Sequence, residues 1–155
     1  MAQIVRDEPL IELPKDAGQL VKCLADPEWR LFSGCLYKIM VKGDDEDGSD
    51  EAFVMPFKPN QAQRRFIRRL WHRNLILKAR QLGFTTLIAI VWLDHALFNG
   101  NQRCGIVAQH REAVETIFRD KVKFAYENLP REIRERFPLA RDSAVELLFA
   151  HNNSS

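Results

Sequence analysis

Asn74-Leu-Ile-Leu-Lys78 followed by Ala79-Arg-Gln-Leu-Gly-Phe-Thr-Thr86 decides how the chain is read. A short apolar run with β character leads into a glycine turn. Beyond the turn, Leu87, Ile88, Ile90, Val91, Trp92, Leu93, Ala96 and Leu97 are apolar on nearly every side as far as Phe98. A run that long suits a helix packed inside a domain better than a strand. The junction between a strand ending at Lys78 and a helix beginning near Phe84 is a place where phosphate binds. Backbone N–H groups converge there, and the helix end carries partial positive charge. The usual form is G-x-x-x-x-G-K-S/T. Aligning Gly83 with its second glycine puts Thr85 on the hydroxyl position that ligates Mg²⁺. Lys78 then stands at the first-glycine site and Phe84 at the lysine site. The missing cation could swing over from the strand end, with Lys78 the first candidate and Arg80 the second. The alternative is a plain strand-to-helix turn in which Gly83 tolerates a tight backbone and Thr85 caps the helix.

Outward from this turn, Cys104 to Ala108 reads as a second buried strand and Val145 to Ala150 as a third. A helix from about Arg111 to Asn128 and a short one opened by Pro130 lie between them. Strand, helix, strand, helix, strand in this order predicts a three-layer α/β core with a parallel sheet, an incomplete P-loop NTPase domain over residues 53–155. Residues 1–52 read as a small N-terminal subdomain, with a helix near Ala17 to Leu24 and a strand through Leu36 to Lys42. The run 44–51, DDEDGSDE, forms an exposed acidic loop.

Upstream of the turn, Pro59 to Trp71 makes an amphipathic helix. Phe66, Ile67, Leu70 and Trp71 stripe one side, and Arg64, Arg65, Arg68 and Arg69 share the other. Asn60 and Gln63 match a capping box. Net charge is only +2, yet there is no acid from Ala52 to Leu93, where Lys58, four helix arginines, Arg73, Lys78 and Arg80 gather. Such a cluster attracts phosphate-bearing ligands, although a solvated helix face is the simpler account of the four helix arginines. Cys23, Cys35 and Cys104 lack disulfide or zinc spacing, and His72, His95, His110 and His151 lack ligand spacing. No signal peptide is read at the N-terminus, and no run approaches the roughly 20 apolar residues that span a bilayer. A cytosolic, unanchored chain is expected.

Four segments together carry a resemblance: Phe57-Lys-Pro-Asn-Gln-Ala-Gln63, Leu77-Lys-Ala-Arg-Gln-Leu-Gly-Phe-Thr-Thr86, Phe118-Arg-Asp-Lys-Val-Lys-Phe-Ala-Tyr126 and Glu146-Leu-Leu-Phe-Ala-His-Asn-Asn-Ser-Ser155. In order and spacing they resemble the N-terminal ATPase part of tailed-phage large terminases. The resemblance implies ATP and Mg²⁺ as ligands, with Asn60, Gln61 and Gln63 recognising adenine. It implies a deviant phosphate loop whose lysine, here Lys78, has moved to the loop's beginning, and whose arginine matches Arg80. The backbone from Arg80 through Gln81, Gly83, Phe84 and Thr85 to Thr86 would wrap the triphosphate, and Thr85 would reach Mg²⁺ through ATP. Double-stranded viral DNA, a small terminase subunit, a portal, a possible homo-oligomeric ring and the host cytoplasm are implied as well.

Hydrolysis in that family needs an apolar strand ending in Asp-Glu. No such pair follows the loop, so no catalytic residue is assigned. Asp94 is read as a helix-surface residue, because charged groups are almost never buried unpaired. The chain is therefore expected to be truncated, to lack the nuclease part, and to bind ATP weakly at best and without turnover. Two other readings stay open: a superfamily-2-type helicase fragment, and a non-enzymatic DNA- or partner-binding fragment with a degenerate loop.

Overall fold

The computed structural model describes residues 12–42, 52–77 and 82–155. Lys78, Arg80, Gln81 and the acidic run lie outside the described residues. Helix α1 (Ala17–Ala25) starts where the Asp16 carboxylate accepts the Gln19 amide at 2.7 Å, and α2 (Pro27–Phe32) starts with proline in its first turn behind an Asp26 cap. Both starts follow the usual chemistry of satisfying orphan amides. Strands β1 (Lys38–Lys42) and β2 (Ala52–Pro56) pair antiparallel, Lys38 opposite Pro56 and Lys42 opposite Ala52. Helix α3 (Gln61–Ile67) carries the capping box anticipated at Asn60 and Gln63. It is shorter than the amphipathic pattern suggested, because Arg69 and Leu70 bond back to Phe66 and Ile67 and so tighten the last turn.

Helix α4 (Phe84–Phe98) is the longest element and the centre of the core. Leu87, Ile90 and Leu97 on it are fully buried, packed with Leu36, Tyr37, Ala125, Ile133 and Phe149. The helical stretch after it is continuous: α5 (Arg111–Ile117), a π-helical segment Phe118–Lys123, and α6 (Phe124–Glu127). Helix α7 (Arg131–Arg136) then leads to β3 (Leu139–Asp142), which pairs antiparallel with β4 (Leu147–Phe149).

The parallel P-loop core expected from the strand–helix alternation is not what the residues form. The described residues hold two small antiparallel sheets of two strands each. Residues 74–77 and Cys104 to Ala108, read as parallel strands, make no ladder. The expected strand at Val145 to Ala150 survives only as β4, in a local hairpin with β3. The physical reason lies in what covers these runs. Ile76 and Ile106 are partly buried against the core, while Leu75, Leu77 and Val107 are 88%, 90% and 96% exposed. An apolar run needs a partner strand as well as a covered face to become part of a sheet, and the residues themselves specify only the face.

Asp94 also corrects the sequence reading. It is 4% exposed, not on the helix surface. The Arg30 guanidinium grips it with two hydrogen bonds of 2.8 Å, and the Tyr37 hydroxyl donates to it at 2.7 Å. Arg30 also donates to the Leu24 carbonyl at 2.7 Å and lies 4.2 Å over the Phe98 ring. Burial works against the charged guanidinium, but the hydrogen bond and charge of Asp94 outweigh it, and the Arg30 pKa rises above its ordinary value. Burial, reinforced by Asp94, likewise holds the Tyr37 hydroxyl well above its ordinary pKa, so it stays a donor. This cluster ties α2 and the lead into β1 to α4.

The far end of α4 is capped across sequence. The Asn152 amide donates to the carbonyls of Ala96 and Asn99, each at 2.8 Å. His151 Nε2 lies 2.9 Å from the Leu97 carbonyl, and the fully buried Ser154 hydroxyl donates to Asn99 at 2.7 Å. These groups satisfy carbonyls that a helix end otherwise leaves bare. Replacing Asn152 by alanine should therefore cost about 1–3 kcal/mol, since part-buried acceptors lose their donor. Denaturant titration against the parent chain measures it.

Candidate phosphate-binding turn

Gly83 sits at the head of α4 with φ +66°, a left-handed conformation that glycine adopts without strain. Among the described residues no side chain caps the helix there, and its first turn holds no acid. Among the described residues, the first helical amide to find a backbone acceptor is that of Leu87, which bonds to the Gly83 carbonyl at 3.0 Å. The amides of Phe84, Thr85 and Thr86 have no acceptor among the described residues. They present the donor end of a 15-residue helix, where partial positive charge is concentrated.

The turn is held from behind by Gln63. Its buried amide nitrogen donates to the carbonyls of Leu82 and Gly83, each at 3.1 Å, while its oxygen accepts the Asn60 amide at 2.9 Å. A Cβ on residue 83 would meet that nitrogen at 2.9 Å, so a side chain there would push the Gln63 amide aside, in addition to the strain that φ imposes. Gln63 thereby couples the start of α3 to the start of α4. Sequence spacing exposed the capping box but not this second use of the amide, which appears only when the two helix starts are brought together.

The other anticipated residues divide plainly. Phe84 is buried, its ring edge-on to Phe66 at 5.6 Å between centroids, so only its backbone faces the turn. Thr85 is exposed, and Thr86 is half-buried. Asn60 spends its side chain on the Gln63 amide at 2.9 Å. Gln61 is exposed, with its amide uncommitted among the described residues. Lys78, Arg80 and Gln81 fall outside the described residues, so the structure gives no position for the cation expected there.

Neighbouring arginines vary in how far they are engaged. Arg64 donates to the Pro59 carbonyl at 2.9 Å and lies over the Phe32 ring, and Arg68 pairs with Glu28 at 3.3 Å. Arg65, Arg69 and Arg73 are exposed and form no ion pair among the described residues. Uncapped amides, a left-handed glycine and an exposed hydroxyl fit a phosphate group. For Mg²⁺ the described residues offer the Thr85 hydroxyl, and no cluster of three or more His, Cys, Asp or Glu side chains capable of holding a metal occurs among them.

No protein-family model matches the chain, and neither the curated proteins nor the solved structures yielded a match. No helix among the described residues is long and apolar enough to cross a membrane.

Proposed function

We propose that the turn Leu82–Thr86 binds the phosphate tail of ATP as part of a DNA-packaging ATPase of the large-terminase kind, working in the host cytoplasm. The observation that carries this reading is the set of three amides that have no acceptor among the described residues, behind a left-handed glycine at the head of α4. The ordered resemblance of four separate segments to large terminases supports the same assignment. The reading rests on the turn and its helix, not on a parallel sheet. Mg²⁺ would neutralise charge on the phosphates when bound, with the Thr85 hydroxyl as its protein contact. Gln61 is the amide left to meet the adenine edge, which needs a donor and an acceptor together. Exposed Arg65, Arg69 and Arg73 supply positive charge where double-stranded DNA would lie.

Calorimetric titration with ATP and Mg²⁺ tests the proposal. Saturable binding is expected, and replacing Thr85 by alanine should weaken it about tenfold or more, since Mg²⁺ would lose its protein ligand. Affinity that does not respond to Thr85→Ala, in a variant that melts like the parent, would remove the turn from the site. Loss of DNA affinity in the same variant would instead favour a fragment that only binds DNA.

A further inference from the structure

Asn99 is the one asparagine of the sequence that glycine follows. At such a pair no side chain shields the glycine nitrogen from the asparagine side-chain carbonyl, and a five-membered imide ring can close. Both Asn99 and Gly100 are exposed. The Gly100 nitrogen donates to no acceptor among the described residues. The pair is therefore reactive by composition and open to water, and the fold decides whether it reacts.

Asn99 ends α4 with ψ 143°. Ring closure needs the Gly100 nitrogen to eclipse the Asn99 Cβ, which lies about a quarter-turn of ψ away. Two sets of contacts oppose that rotation. The Asn99 carbonyl accepts the Asn152 amide at 2.8 Å and the Ser154 hydroxyl at 2.7 Å. Because a peptide unit is planar, fixing this oxygen fixes the Gly100 nitrogen with it. On the other side, the Asn99 side-chain nitrogen donates to the His95 carbonyl at 2.9 Å and lies 3.3 Å from His95 Nδ1.

We propose that Asn99 is a self-modification site whose reaction is withheld by the clasp of Asn152 and Ser154, so that the chain converts once the clasp opens. The Gly100 nitrogen bonds to Asn99 Cγ and the Cγ–Nδ2 bond breaks. Ammonia leaves, carrying the proton that the Gly100 amide gives up. Water then opens the ring at one of its two carbonyls, leaving aspartate, or isoaspartate with the main chain rerouted through the side chain. Either product loses the donor to the His95 carbonyl and adds a negative charge at the negative end of α4. Isoaspartate also lengthens the main chain by one methylene and moves the carbonyl that Asn152 and Ser154 hold. The clasp cannot close as before, and its opening becomes one-way.

Peptide mapping of the whole chain during incubation at mildly alkaline pH tests this, in buffer and in guanidinium chloride. The other asparagines all precede residues with side chains and serve as internal controls. In the folded parent, Asn99 is expected to convert about tenfold or more slowly than in denaturant, since only the opened fraction reacts. Asn152→Ala and Ser154→Ala, each held at a temperature where circular dichroism shows it folded, should raise the folded-state rate about threefold or more and leave the rate in denaturant unchanged. The finished product, made directly as Asn99→Asp, should melt below the parent. Equal rates at Asn99 in buffer and in denaturant, a folded-state rate that neither alanine variant raises, or an Asn99→Asp chain as stable as the parent overturns the proposal.

Discussion

Replacing Asp94 by alanine is expected to lower the unfolding free energy by about 3–5 kcal/mol, because one partner of a buried ion pair is left behind. Arg30 would remain 6% exposed with its charge uncompensated, and the Tyr37 hydroxyl would lose its acceptor. The large effect comes from orphaning these groups, not from any great net worth of the pair. A triple replacement of Arg30, Tyr37 and Asp94 by methionine, phenylalanine and leucine should therefore recover most of the loss. Urea unfolding of the parent, the single variant and the triple variant decides this. A single-variant loss below about 1 kcal/mol, the range of exposed pairs, would mean that the cluster is solvated in solution.

Gly83→Val carries the second large effect, on stability and on binding together. A β-branched residue is a genuine outlier at φ +66°, a conformation costing about 1–2 kcal/mol even for ordinary residues. Its Cβ would also press on the Gln63 nitrogen and release two hydrogen bonds to the turn. Together these should cost about 2–4 kcal/mol of stability. At a temperature where the variant remains folded, ATP affinity should fall about a hundredfold or more, because three amides lose their common aim. The comparison variant Gln63→Ala keeps the glycine but frees the turn. It should weaken ATP binding less than Gly83→Val, and a reversed order would show that the turn's own backbone is not what orients the amides.

What the sequence made legible was local. The apolar surround of α4, the capping box at Asn60 and Gln63, and the glycine before Phe84 all follow from rules acting within a few residues. Pairing was not legible. Residues 74–77 and 104–108 carry strand-like apolar runs, but the residue pattern does not say which backbone, if any, lies beside them. The hairpins that did form join neighbours in sequence, β1 with β2 and β3 with β4. Asp94 was misjudged for a related reason. An acid in an apolar helix is costly only if unpaired, and its partner Arg30 lies 64 residues away. A lone acid in a helix with seven buried apolar residues was itself the available signal, pointing to a buried partner. The clasp of Asn152 on the end of α4 is equally distant in sequence and had no local mark.

Amide NMR of the isotope-labelled chain reads the amides of Phe84, Thr85 and Thr86 directly. Titration with ATP and then with pyrophosphate should shift these three resonances together, with one saturation curve for each ligand. Shifts confined to Arg65, Arg69 and Arg73, with the head of α4 unmoved, would place the phosphate on the arginine face and not at the turn.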